Sequence, residues 1–449
     1  MKKLIAIVIF AAMLLVVAAC DDTNPDEFAP EPPPVAEDTP APATPVPEAP
    51  PDPGGLDDTT ITYATWDDDM EELEELIDVF YELYGVTVEG TFIDWDDFAE
   101  TYAAMVMAGQ APDAFDVQPE SLLYFISDDY FKPLDDYIDF NSSLWDGVRD
   151  INLVKSEGLF YAAPVDHANW SVVTYNKNMF MNEGIETPDE LLEKGEWTWD
   201  KFYEIAALFS KDTDGDGQND VFGISLEGAH DPVMGILANN NTSFLGHNEE
   251  TGEWFNNIDD PVLGTIMEQL YDNYNVNRIF APGEEDEVWD AFGEYFATGR
   301  AAMHYGGWWA APWGPMSDAW FAGELGMVPT PSYCGTIDGA RIGDLFMMGV
   351  SKNSANPQAA ALFIEYRRSE AVAGAEWEDP DHWMIDSGFT PEQIFYIYGI
   401  NKVFYADRFA PGYEWWNPMY GVIGGEEWSA VREWAKPEAQ IAVDNLNNR

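Results

Sequence analysis

The run Asp212-Thr213-Asp214-Gly215-Asp216-Gly217-Gln218-Asn219-Asp220 sets carboxylates at loop positions 1, 3, 5 and 9, with Gly217 at the sharp turn. Oxygen donors at that spacing wrap a hard divalent cation. Asp212, Asp214, Asp216 and Asp220 would serve as side-chain ligands and Gln218 would offer its carbonyl, so one structural Ca2+ is the cofactor the spacing suggests. Position 12 is Gly223, where such loops usually carry a bidentate glutamate. The remaining ligand must come from elsewhere, and the alternative is a solvated acidic turn. Acid–base and nucleophilic chemistry find no comparable motif. The histidines at 167, 230, 247, 304 and 382 are isolated. Cys334, in Pro331-Ser332-Tyr333-Cys334-Gly335, has no base beside it and reads as a buried or partly buried free thiol. Gly-x-Ser-x-Gly, His-Glu-x-x-His and phosphate-loop patterns are absent. Carboxylates are abundant enough that composition alone does not exclude a catalytic pair.

The second chemistry on offer is recognition by flat faces and hydrogen bonds, because the chain has 18 tryptophans. Several fall where strands should end. Residues 60–66 read as a strand, so Trp66 and Asp67 lie just past its carboxyl end, where open α/β sheets hold ligands. Trp95 follows a strand at 86–92, and Asp116 and Gln118 end a short strand at 114–117. Leu73, Leu76, Ile77, Phe80, Leu83 and Tyr84 share one face of an intervening helix. A second helix, capped by Asp96, turns Phe98, Tyr102, Met105 and Val106 inward. Strand, helix, strand, helix, strand is the pattern of an open α/β sheet. His167, Asn169 and Trp170 sit between two further strands, 159–164 and 171–175; a satisfied structural histidine is the rival reading of His167. Thr198 caps a helix running to Phe209. A strand at 301–305 leads into Gly306-Gly307-Trp308-Trp309, where the glycines permit close backbone approach.

The amino terminus has a different job. Lys2-Lys3, an apolar run from Leu4 and Val16-Val17-Ala18-Ala19-Cys20 form a secretion leader (residues 1–20) ending in a cysteine suited to lipid attachment, palmitate included. The run is shorter than the roughly 20 residues a bilayer span needs; a lone membrane anchor and ordinary cleavage with an incidental cysteine are the alternatives. Residues 21–58, rich in Pro, Ala, Thr, Asp and Glu, cannot build a core and read as a disordered tether. With Cys20 modified, Cys334 has no disulfide partner. The expected location is therefore the outer face of the cell membrane, lipid-anchored. A formal charge of −63 repels nucleic acid and anionic lipid. Residues 59–449 exceed one typical core, so two domains are expected.

Ala108-Gly109-Gln110-Ala111-Pro112-Asp113-Ala114-Phe115-Asp116-Val117 resembles the signature after the second helix of extracellular solute-binding proteins of family 1, the sugar-binding lipoproteins of ABC importers. Further similar stretches follow in order: 158–164, Val173-Thr174-Tyr175-Asn176-Lys177-Asn178-Met179-Phe180, 198–202, Phe296-Ala297-Thr298-Gly299-Arg300-Ala301-Ala302-Met303, and Val350-Ser351-Lys352-Asn353-Ser354. The resemblance implies an α/β fold of two discontinuous lobes around a hinge, the N-terminal lobe at 59–166 and 302–354 and the C-terminal lobe at 167–301 and 355–449. It implies a monomer that binds a neutral sugar or short oligosaccharide and delivers it to membrane permease subunits, with no catalysis of its own. A secreted carbohydrate-active enzyme and a receptor for a non-sugar solute such as a peptide are the alternatives. A sugar needs aromatic plates for its C–H faces and polar groups for its hydroxyls. The candidate ligand residues are Trp66, Asp67, Trp95, Asp116, Gln118, His167, Trp170, Trp308, Trp309, Arg341, Trp415 and Trp416. The resemblance puts a stacking aromatic just after the 301–305 strand, so one of Trp308 and Trp309 should face the cleft, and Trp313 either touches ligand or covers the lobe. Arg341 stands between Asp338 and Asp344, where an ordinary ion pair is equally expected. Trp415 and Trp416 either close the cleft or pack helices.

Overall fold

β-Branched and aromatic residues dominate Thr60–Thr65, and the chain forms strand β1 there, with Ile61, Tyr63 and Ala64 buried. The protein was analysed as a computed structural model, which describes residues 49–67, 70–145, 154–156, 158–168, 171–226, 230–240, 242–248, 251–282, 293–332, 334–336, 344–374, 382–399, 410, 413–414 and 416–447. Helix α1 (Met70–Tyr84) follows, burying Leu73, Phe80 and Tyr84. Leu83 is exposed, contrary to the periodic reading: it lies one residue before Tyr84, about 100° around the helix, and Tyr84 takes the inward position. Strand β2 (Thr87–Phe92), helix α2 (Phe98–Ala108) and strand β3 (Ala114–Val117) complete the expected alternation. Asp97, not Asp96, occupies the α2 N-cap, without a side-chain capping bond.

Asp113 explains why this corner is built as it is. Its carboxylate accepts from the Thr62 amide and hydroxyl of β1 (3.0 and 3.2 Å) and from Ser354 Oγ (2.6 Å). Ser351 Oγ donates to the Pro112 carbonyl and lies 3.0 Å from Tyr102 Oη. Two of the stretches that carry the family resemblance thus meet as one partly buried polar knot at the rear edge of the sheet, satisfying groups that would otherwise be costly to bury.

Strands β4 (Ala162–Ala168), β5 (Ser171–Asn176), β6 (Phe222–Leu226), β7 (Ala301–Gly307), β8 (Leu325–Pro329) and β9 (Asp344–Val350) complete two main sheets. The first runs β2-β1-β3-β9-β4 and the second β8-β5-β7-β6. In the first, β1 is parallel to β2 and β3, and β9 lies antiparallel between β3 and β4. In the second, β5 is antiparallel to both β7 and β8, while β6 is parallel to β7. Helix α3 (Pro119–Ser127) follows β3, helix α4 (Trp199–Phe209) packs on β6, and helix α5 (Pro357–Gly374) lies across β4, β9 and β3. Thr198 caps α4 as expected, its hydroxyl accepting from Lys201 N at 3.2 Å. Among the described residues no helix is long and apolar enough to cross a membrane.

The expected lobe boundaries need two corrections. Residues 301–329 supply two strands of the second sheet, so the chain returns to the first between Pro329 and Asp344, not at 302. Helix α5 belongs with the first sheet: Phe363 meets Tyr63 edge-on at 5.2 Å, and Tyr366 meets Phe80 at 5.2 Å. The expected tether also ends earlier than 58. Pro50 is buried, its carbonyl accepts from Tyr84 Oη at 2.7 Å, and Asp58 N donates to the Gly85 carbonyl at 3.2 Å.

Candidate functional site

Parallel pairing brings the carboxyl ends of β1, β2, β3 and β4 to one edge of the first sheet. Ala168 ends β4 and Ser171 begins β5, three residues on, which a chain spans in at most about 11 Å. Ser171 is paired with Gly307 at the carboxyl end of β7. The carboxyl ends of β4 and β7 therefore lie close together at this crossover, and the space beside them is the candidate cleft.

On the first edge, Trp66 is half-buried and packs edge-on against Trp95 (4.7 Å) and Phe98 (5.2 Å). Trp95 is exposed, and its carbonyl accepts from Gln118 Nε2 at 2.8 Å. Gln118 occupies the N-cap position of α3 without a side-chain capping bond and is buried. Asp67 is exposed. Asp116 is 9% exposed, and its two oxygens accept from Tyr63 Oη and Thr65 Oγ1, each at 2.7 Å. Burial pushes its carboxyl up to about 6, against the lowering effect of those two bonds and of Arg367. The five candidates from this half of the sequence are thus brought together. His167 lies within β4, one residue before its end and paired with Leu345, not between two strands as expected; its side chain lies outside the described residues, as do Trp170, Arg341 and Trp415.

On the second edge, Trp309 folds back over Gly307, where a Cβ would lie 2.2 Å from the indole, so only glycine fits. Trp308 is the hub of an aromatic cluster, with ring centroids 5.8 Å from Trp309, 5.7 Å from Trp313, 6.2 Å from Trp383 and 5.8 Å from Phe389. Trp313 and Trp383 are parallel to within 2°, 6.2 Å apart, and stand 57% and 46% exposed. The sequence reading did not single out Trp383, which follows His382 in a short helix with no periodic signal. Trp416 is half-buried against the main core at the start of the helix Asn417–Ile423. Trp197 is fully buried, its indole donating to the Pro329 carbonyl at 2.9 Å. Arg367 was also missed, although the scarcity of basic residues (20 against 83 acidic) pointed to it.

The acidic loop lies apart from this cleft, after α4. Oxygens of Asp212, Asp214 and Asp216 fall within 4.8 Å of one another. Asp212 also accepts from Gly215 N (2.6 Å) and Gly217 N (2.9 Å), and both glycines have positive φ. Asp220 is bonded to the amide and hydroxyl of Thr213, which hold its carboxyl below the usual range. Gly223 packs so closely that a Cβ would sit 2.3 Å from the Ala206 backbone. Packing therefore forbids a glutamate at position 12.

The family model for bacterial extracellular solute-binding proteins matches residues 63–373, more than half of the chain. The chain belongs to that family. Solved structures with the same fold include an ABC substrate-binding protein of Listeria monocytogenes in complex with cycloalternan (18% identity, 87% of this chain and 99% of that one, TM-score 0.60). The maltose/maltodextrin-binding domain of Bdellovibrio bacteriovorus bound to maltotriose is similar at 16% identity, covering 87% of this chain and 100% of that one, with a TM-score of 0.58. The galacto-N-biose-/lacto-N-biose I-binding protein of Bifidobacterium longum in complex with lacto-N-biose gives 16%, 87%, 98% and 0.61. The two-lobed fold expected from sequence is the fold of these proteins.

Proposed function

We propose that this chain captures a neutral sugar or short oligosaccharide between its two sheets and presents it, lobes closed, to the permease of an ABC importer. The observation that carries the reading is the supply of aromatic faces and hydroxyl acceptors at the carboxyl ends of the strands: Trp66 and Trp95 beside Asp67, Asp116 and Gln118 on the first sheet, and Trp308, Trp309, Trp313 and Trp383 after β7 of the second. The structurally similar proteins from three organisms hold sugars in their solved complexes. Binding without turnover fits the absence of a catalytic motif, and closure supplies a shape distinct from the empty form. The protein acts as a monomer outside the cell, held by lipid on Cys20, with no role for nucleic acid. A thermal-shift screen with maltotriose, lacto-N-biose and cycloalternan tests this. Saturating stabilisation is expected, about 2.7 kcal/mol at a hundredfold excess over Kd, with the sugar recovered intact. Silence across sugars in a folded protein overturns it, and released product favours the enzyme alternative.

The acidic loop is proposed to hold one Ca2+. Its donors are all oxygen, as that ion requires, and three carboxylates already converge. With position 12 closed by packing, Asp212, Asp214, Asp216, Asp220 and the Gln218 carbonyl would hold the ion and pin the turn between α4 and β6. Calcium titration by calorimetry should give one site that Asp214→Asn weakens at least tenfold. No heat with the wild-type chain would reject it.

A further inference from the structure

We infer that Arg367 is a positioning residue beneath the cleft: carried by α5, it gathers Asp67, Asp116 and Asp166, from the ends of β1, β3 and β4, into one preset row of hydroxyl acceptors. This rests on the sugar-binding reading above. The placement follows from helix geometry. Phe363 lies against the Tyr63 ring at 5.2 Å, and Arg367 stands one turn further along the same face. The Tyr63 hydroxyl, at the far end of that ring, donates to Asp116. The next residue, Arg368, is buried and ties the strand down: its Nε donates to the Leu144 carbonyl at 3.0 Å and its Nη1 to the Val165 carbonyl at 3.1 Å. Val165 precedes Asp166, whose charge favours both arginines, where the chain is about to cross to the second sheet.

The charges are consistent with this. Burial opposes the Arg367 charge, and the carboxylates of Asp116, Asp67 and Asp166 act in its favour. The groups facing Asp116 are Tyr63 and Thr65 from β1, Asp67 just beyond β1 and Arg367 from α5. Its β9 neighbour, Met348, is uncharged. Asp166 also faces Tyr398, whose ring packs with the second sheet's satellite core. The carboxylate row thus reaches the lobe that must close. Each ionised oxygen has more than one acceptor site, so Asp116 can serve Tyr63, Thr65 and a ligand hydroxyl together, provided it stays ionised.

The test measures maltotriose, lacto-N-biose and cycloalternan affinity from pH 5 to 8 for the full chain and for Arg367→Met and Arg367→Lys. Wild-type affinity should fall as pH drops through about 6. In Arg367→Met the fall should begin at a higher pH, with at least a tenfold loss at pH 7, and Arg367→Lys should recover most of it. A loss of equal size at every pH, or none, overturns the proposal. If the wild-type chain binds none of these sugars, the sugar reading fails, and the Arg367–Asp116 link is read from unfolding midpoints at pH 8. Arg367→Met should then destabilise the wild type at least twice as much as it destabilises Asp116→Asn. Additive losses would reject the link.

Discussion

Glu365 and Asp116 make the first lobe sensitive to pH at neutral values. Glu365, half-buried on α5, is pushed up to about 7, first by burial and then by the Asp139 charge. A carboxyl whose folded value exceeds its unfolded one stabilises the fold below about pH 4.5, and that contribution is lost as pH rises through about 7. Glu365→Gln should therefore match the wild type at pH 4 and melt higher at pH 8, as read by calorimetry at the two values. His304 works in the opposite direction. Burial drops its value to about 4, so its contribution is intact above about pH 6.5 and is lost as pH falls through 4. In the cleft, Trp383 is exposed and stacks on Trp313, so Trp383→Ala should leave the midpoint nearly unchanged. Its loss should cost about 0.5–1.5 kcal/mol of sugar affinity beyond the lost area. Trp416, packed against the core, should show the reverse pattern. A Trp383→Ala chain with wild-type affinity would remove Trp383 from the site.

At the scale of elements, α5 carries both packing and function on one face. Phe363 is fully buried between Tyr63 and Phe80, so Phe363→Ala should cost about 3–5 kcal/mol of stability, measured by denaturant unfolding. It should also weaken sugar binding by loosening the seat of Arg367. What was legible in the sequence follows the same division. Period-2 and period-3.6 patterns marked β1, α1, β2, α2 and β3, and strand ends then located Trp66, Asp67, Trp95, Asp116 and Gln118, because in an open sheet such ends share an edge by geometry alone. The sheet that owns β7 was not legible. Ala301–Gly307 is buried throughout and reads as a strand for either lobe, and its pairing with β5 and β6 joins residues more than 70 positions apart. Arg367 and Trp383 escaped for a related reason: each matters through a partner distant in sequence, and neither interrupts a local pattern.

At the scale of the molecule, 83 acidic residues face 20 basic ones, and both lobes carry strands, helices and loops from the same acidic chain. Closing a cleft between like-charged bodies does Coulomb work that the ligand must offset, and salt reduces that work. The screening length falls from about 30 Å at 0.01 M to about 3 Å at 1 M, which spans the dimensions of such a cleft. A neutral sugar has no charge for salt to screen, so any salt dependence of its affinity must come from the protein. Affinity for maltotriose, or for whichever sugar the screen identifies, should rise several-fold between 10 mM and 500 mM NaCl, and the unfolding midpoint of the empty protein should rise with it. A cationic ligand would give the opposite slope, because its attraction to the acidic edges would be screened away. Flat affinity across that range, with a rising midpoint, would mean that the charge lies on outer surfaces whose separation does not change on closure. Calorimetry at four salt concentrations separates the three cases and shows whether the acidity of this chain acts on the cleft or only on the fold.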